Sequence, residues 1–168
     1  MHRRLPILFL LALTACADNA QESICPGLEQ CRFADPCTDT GQIAAHQGSF
    51  RRAPLLGAAL LEACRGDKAA ALILGESLER GVGLPEDPGL ASRWYRLAAV
   101  ATPGQGSPRG ELPAKPGYPE AAFRLGVMHL EGRGVPQDFA AARYWLGKAA
   151  AEGHRRAILA LDAVPRGR

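Results

Sequence analysis

The chain has 168 residues, 47% of them hydrophobic and 22% charged, and a net charge of +3 at neutral pH. That is enough for one modest globular domain, and the charge is too balanced for a disordered acidic or basic tail. Losing Arg3 and Arg4 by processing would leave +1, no footprint for nucleic acid, and no apolar run reaches the roughly 18 residues of a membrane-spanning helix.

The chain opens with His2-Arg3-Arg4, a short positive segment, followed by an apolar stretch from Leu5 to Leu13 interrupted by Pro6. As a helix that stretch would be about 14 Å long, half a bilayer core, so it reads as a secretory signal rather than an anchor. Leu13-Thr14-Ala15-Cys16 resembles a bacterial lipobox, with a bulky residue, two small ones and a cysteine. That resemblance implies cleavage before Cys16 and a diacylglycerol on its sulfur. Several acyl chains, at about 0.8 kcal/mol per buried methylene, would hold the protein stably on a membrane. Ala17 stands where an aspartate is linked to inner-membrane retention, so the resemblance implies an outer membrane, facing the periplasm.

Five cysteines is an odd count, which acylation of Cys16 resolves. Export would place Cys25, Cys31, Cys37 and Cys64 in an oxidising compartment. Their spacing is too wide for a zinc site, so two disulfides are expected and no metal, with all three pairings open.

The rest of the chain repeats itself. Ala70 to Ala99 laid over Ala121 to Ala150, an offset of 51, gives twelve identities in thirty positions. They include Leu74/Leu125, Gly75/Gly126, Gly81/Gly132, Gly83/Gly134, Pro85/Pro136, Asp87/Asp138 and Trp94/Trp145. Ala71, Leu74, Gly75 and Leu78 fall on one helical face. Gly75 is unfavourable in a helix by about 1 kcal/mol, which makes sense where another helix approaches closely. Gly81 and Gly132 are placed to end the first helix of each unit. Asp87, with Pro88 behind it, and Asp138 are placed to cap the second. Ala91, Trp94 and Ala98 give that helix a large residue between small ones. Each unit is an αα-hairpin that cannot bury its apolar face alone, so neighbours must stack.

These motifs resemble the Sel-1-like repeat family, relatives of the tetratricopeptide solenoids. The second copy carries Gly132-Arg133-Gly134-Val135 and Trp145 with Lys148-Ala149-Ala150, and the first carries Trp94-Tyr95. Leu78 and His129 stand where the family has tyrosine, and Leu146 likewise. The fold expected is all-α, an α/α solenoid of Sel-1-like helix-turn-helix repeats. Pro54 to Cys64 reads as the second helix of a degenerate earlier repeat, its first helix around Gln42 to His46. The organisation is then a lipoprotein signal peptide over 1–15, a lipidated, cysteine-rich tether over 16–36, a degenerate capping repeat over 37–66 and a full repeat over 67–101. A Pro/Gly-rich inserted loop over 102–117, a second full repeat over 118–153 and a closing helix over 154–164 follow. The insertion measures sixteen residues by alanine spacing. It reads as a tolerated surface loop or, less favoured, a partner-binding one.

The search for chemistry finds no G-x-S-x-G, no serine followed at three residues by lysine, no H-E-x-x-H, no phosphate loop and no C-x-x-C. His129 is expected in the core. Glu76 and Glu79 are expected on a solvated face, and Arg93, Arg96 and Arg143 to pair with solvent or acidic neighbours. The resemblance implies that first helices line the concave side, which makes Glu76, Arg80, Arg124, Met128 and Glu131 candidates for partner contact. The function expected is a non-catalytic envelope lipoprotein that binds a protein partner and needs no cofactor. The alternative is a cell-wall or penicillin-type ligand binder or hydrolase, as in some cysteine-rich members of the family.

Overall fold

A computed structural model describes residues 36–37, 40–101, 105–107, 110–112 and 116–165. The signal peptide, Cys16, Cys25 and Cys31 lie outside these residues. Among the described residues seven helices follow in order: α1 (Thr40–Arg52), α2 (Pro54–Cys64), α3 (Lys68–Arg80), α4 (Pro88–Ala99), α5 (Pro119–Glu131), α6 (Phe139–Ala151) and α7 (Arg155–Ala163). Each helix packs on the next, α4 on α5 included, although a short antiparallel ribbon, β1 (Gln105–Ser107) and β2 (Gly110–Leu112), lies between those two in sequence. The chain is an α/α solenoid. α1 is longer than the helix around 42–46 that the sequence suggests.

Local chemistry explains the hairpins. Gly81 and Gly132 close α3 and α5 at φ 66° and 71°, which only glycine adopts without strain. The chain then turns back, with Asp87 N–H donating to the Leu78 carbonyl and Asp138 N–H to the His129 carbonyl, both at 2.9 Å. The two carboxylates cap the next helices. Asp87 accepts from Leu90 N–H at 2.8 Å, and Asp138 from Ala140 and Ala141 at 2.8 and 3.0 Å.

The core is a continuous stack of small and large apolar residues. Ala71, Leu74, Ala91, Trp94 and Ala98 of the first repeat and Ala122, Leu125, Ala142, Trp145 and Ala149 of the second are buried, with Ala157 of α7 behind them. The equivalent tryptophans are 2% and 5% exposed. Small residues let the helices close up. A Cβ on Gly75 would meet the Tyr95 ring at 2.6 Å, and one on Gly126 would meet Leu146 Cγ at 2.7 Å. Tyr95 and Leu146 are themselves an offset of 51 apart, so both copies use the same lock.

The insertion leaves the stack undisturbed. Between α2 and α3, Asp67 N–H donates to the Glu62 carbonyl, and between α6 and α7, His154 N–H donates to the Ala149 carbonyl, each five residues back. Between α4 and α5 the same bond joins Tyr118 N–H to the Ala98 carbonyl, twenty residues back. The insertion is therefore fifteen residues, one fewer than the alanine spacing gives, because Ala157 aligns with Ala121 and not with Ala122. Gly117 is held so tightly on the end of α4 that a Cβ would overlap the Ala99 carbonyl. Lys68, 5% exposed, donates to the Leu97 carbonyl at 2.7 Å and so satisfies one of the open acceptors at the end of α4.

Both ends of the stack are fastened. Cys37 and Cys64 form a disulfide with Cα atoms 5.5 Å apart, which ties the approach to α1 to the end of α2. Closing a loop of this length restricts the unfolded chain by about 3.5 kcal/mol. At the other end Val164 is buried, and Arg143 donates to the Pro165 carbonyl at 2.8 Å.

Candidate functional site

The first helices α3, α5 and α7 share the apolar core and are also linked by charge. On α3, Glu76 accepts from Arg124 of α5 at 3.1 Å, and Glu79 accepts from the same guanidinium at 3.0 Å. Arg124 also pairs with Glu120, one turn back on α5, at 2.9 Å. Glu120 then reaches α7, where Arg156 donates to it at 2.8 Å and His154 Nε2 lies at 2.8 Å. Arg133, in the turn after α5, closes on Glu79 from above and lies 3.7 Å from Glu131. One ladder of ions thus runs across three successive units.

The centre of the ladder is sunk into the core. Glu79 is 9% exposed, and the fully buried Tyr95 hydroxyl of α4 donates to it at 2.5 Å. Burial works to raise the Glu79 carboxyl pKa. The Tyr95 hydrogen bond, Arg133 and Arg124 together outweigh it and hold Glu79 below the ordinary carboxylate value. Burial and the Glu79 carboxylate push the Tyr95 hydroxyl up, so it stays a neutral donor. Burial also opposes ionisation of Glu120, but His154, Arg156 and Arg124 prevail and lower its pKa. Burial alone would lower the pKa of Arg124, yet Tyr95 and the three carboxylates leave it raised.

The closing end of the ladder is built on His154. Its Nδ1 accepts from Ala157 N–H at 3.2 Å, which caps α7, while Nε2 faces Glu120. A ring that caps through Nδ1 carries its proton on Nε2, so it donates to the carboxylate. His154 stacks on Phe123 at 4.7 Å between centroids, and Arg156 lies 4.7 Å from the same phenyl ring.

The partner-contact candidates divide on this frame. Arg80 and Glu131 are exposed at the ends of α3 and α5, and Glu76 is half-buried at the rim of the ladder. Arg124 is mostly covered and engaged with three carboxylates. Met128 is fully buried, which overturns its placement as a contact residue. It faces the hairpin interior and fills core volume. Glu79 is likewise not on a solvated face, because Tyr95 and two arginines draw it inward. His129 is 2% exposed, in the core. Among the described residues, no group of three or more His, Cys, Asp or Glu side chains could hold a metal ion.

The ladder has a trace in the sequence that periodicity does not expose. Glu79 and Tyr95 occupy the positions of Leu130 and Leu146 in the second copy. A hydrogen-bonded polar pair in one repeat stands where the other has two leucines.

The Sel1 repeat model matches residues 68–99 and 119–154. A crystal structure of a Sel1 repeat protein from Oxalobacter formigenes is similar at 26% identity and a TM-score of 0.47, over 58% of this chain and 34% of that one. A protective antigen from uropathogenic Escherichia coli strains, described as displaying an SLR fold, is similar at 33% identity and a TM-score of 0.46, over 56% of this chain and 17% of that one. The chain thus spans about a third and a sixth of the length of these two proteins. No curated protein matches it. With two matched units in register and a stack of αα-hairpins around them, the chain carries two Sel1 repeats.

Proposed function

We propose that this chain is a non-catalytic scaffold of a bacterial cell envelope, held to a membrane through an acylated Cys16, that docks a protein partner on the α3–α5–α7 face. The observation that carries the reading is the ladder itself. Ion pairs from Glu76 to Arg156 fix three helices against one another, so the face exists before any partner arrives. A preformed surface binds without the cost of ordering loops. Four carboxylates (Glu76, Glu79, Glu120, Glu131) stand beside three guanidiniums (Arg124, Arg133, Arg156), so the face suits a partner of mixed charge rather than a polyanion. The Cys37–Cys64 disulfide supports an exported protein, since such bonds persist in oxidising compartments.

The test is crosslinking in envelope-containing cells, with the native chain beside an Arg80→Glu/Glu131→Arg variant. Both side chains are exposed, so the variant keeps its fold. The native chain should capture a discrete protein that the variant loses. Capture unchanged by the variant would remove this face from the function, and no capture at all would end the scaffold reading. Intact mass of the same protein reads acylation separately.

A further inference from the structure

The second helix is built for a place it does not occupy within the stack. α2 reads Pro-Leu-Leu-Gly-Ala-Ala-Leu-Leu-Glu-Ala-Cys, with one charged residue in eleven, yet Ala63 alone among them is buried. Leu56 and Leu60 pack partly on the core. Leu55 and Leu61 do not, at 84% and 60% exposed, and Ala58 between them is exposed as well. A helix that is apolar all round is normally buried on all sides, so among the described residues this outer face lacks a cover.

The charges around it say what the cover is. Arg51 and Arg52 end α1 within one turn of Leu55 in sequence, and both are exposed. Arg65 follows α2 directly. Glu62 is the helix's own acid, and Arg65 holds it at 2.7 Å. The face is therefore apolar in the middle and cationic at its N-terminal end, where Arg51 and Arg52 lie, while Arg65 and Glu62 offset each other at the far end. Two leucines to enter an acyl boundary and arginines to meet phosphates describe an interfacial helix. The covalent route agrees. Cys64 ends α2 and is bonded to Cys37, so the described residue nearest in sequence to the tether, apart from Pro36, is fixed at this helix.

We infer that the exposed α2 face, Leu55–Ala58–Leu61 with Arg51 and Arg52, rests on an anionic phospholipid surface and sets the solenoid's orientation on the membrane. The inference deepens the envelope reading and rests on it. The chain would stand on its degenerate capping repeat, leaving α3, α5 and α7 free for a partner.

The experiment uses the full-length acylated protein reconstituted in vesicles whose phosphatidylcholine and phosphatidylglycerol carry brominated chains. Trp94 and Trp145 are buried, so a tryptophan placed on the surface reports separately. Leu55→Trp and Leu61→Trp sample the face, and Leu159→Trp, 73% exposed on α7 at the other end of the stack, is the control on the same tether. Bromine quenching should be several-fold stronger at the first two positions than at the third. Removing phosphatidylglycerol, or adding Arg51→Glu/Arg52→Glu, should weaken docking about fivefold or more for each arginine lost. Equal quenching at all three positions, or quenching indifferent to phosphatidylglycerol, overturns the inference. So does shielding of Leu55→Trp without vesicles at a doubled sedimentation mass, which would assign the face to a second copy. Vesicle flotation and intact mass read the tether independently, so its failure is told apart from failure of the face.

Discussion

Removing the Glu79 carboxylate is the sharpest test of the charged ladder. Glu79→Ala leaves the buried Tyr95 hydroxyl without its acceptor, which costs about 1–3 kcal/mol. Arg124 keeps Glu76 and Glu120 at 3.1 and 2.9 Å, so it adds little. Arg133 is 41% exposed and can turn to water or Glu131, so its loss is discounted for screening. The total is about 2–3 kcal/mol, below the 3–5 that follows when a lone buried pair is broken. Glu79→Gln keeps an acceptor for Tyr95 and should lose only about 1 kcal/mol. Glu79→Leu with Tyr95→Leu, the pair the second copy uses, should return to within about 1 kcal/mol of the native protein, because a well-packed apolar pair replaces a buried polar one with little loss. The assay is urea unfolding followed by circular dichroism, read as a midpoint shift at constant slope. Its pH dependence has a defined sign. Glu79 and Glu120 have carboxyl pKa values lowered from 4.5 in the fold, so their stabilisation is complete above that value and fades as pH falls through the lower native ones. Glu79→Ala should therefore unfold with a shallower acid dependence. A loss under about 0.5 kcal/mol, or an acid limb parallel to the native one, would refute the claim that this cluster stabilises the stack.

Three other results follow from the same geometry. Replacing residues 99–117 by the four-residue connection 150–153 should leave unfolding within about 1 kcal/mol of native, since both connections close the same backbone bond, and a collapsed transition would show that the insertion supports the fold. Gly147→Ala, with open space at the new methyl, should stabilise by about 0.5–1 kcal/mol, whereas Gly126→Ala, with the Leu146 side chain at 2.7 Å and its backbone nitrogen at 3.0 Å, should destabilise by about 1–2; shifts of the same sign in thermal melts would contradict the packing. Cys37→Ser should lower stability by about 3.5 kcal/mol, and adding reductant to the native protein should lower its urea midpoint by at least as much as the substitution does.

The α/α stack was legible in the residues because its determinants are local and occur twice. Leu74, Gly75, Gly81 and Asp87 each act within a turn or two of chain, and their partners 51 residues on repeat the same chemistry. Helical period, a left-handed glycine and a capping aspartate need no knowledge of distant neighbours. The face proposed for partners was only partly legible. Helical phase placed Arg80 and Glu131 outward, but it also placed Met128 there. Phase cannot tell which side of a hairpin meets its partner helix when apolar residues lie on more than one face.

What the chain by itself determined is the unit, its turns and its tendency to stack. What only the tertiary structure decided depends on residues far apart in sequence being brought within bonding distance. Glu79 meets Arg124 and Arg133 across 45 and 54 residues, Cys37 meets Cys64 across 27, and Tyr118 returns to Ala98 over the top of an insertion. Charge and thiol partners are chosen by proximity, and proximity is a property of the stacked helices, not of any segment. The bare face of α2 is the same lesson in reverse, since only packing reveals which leucines the core has no room for.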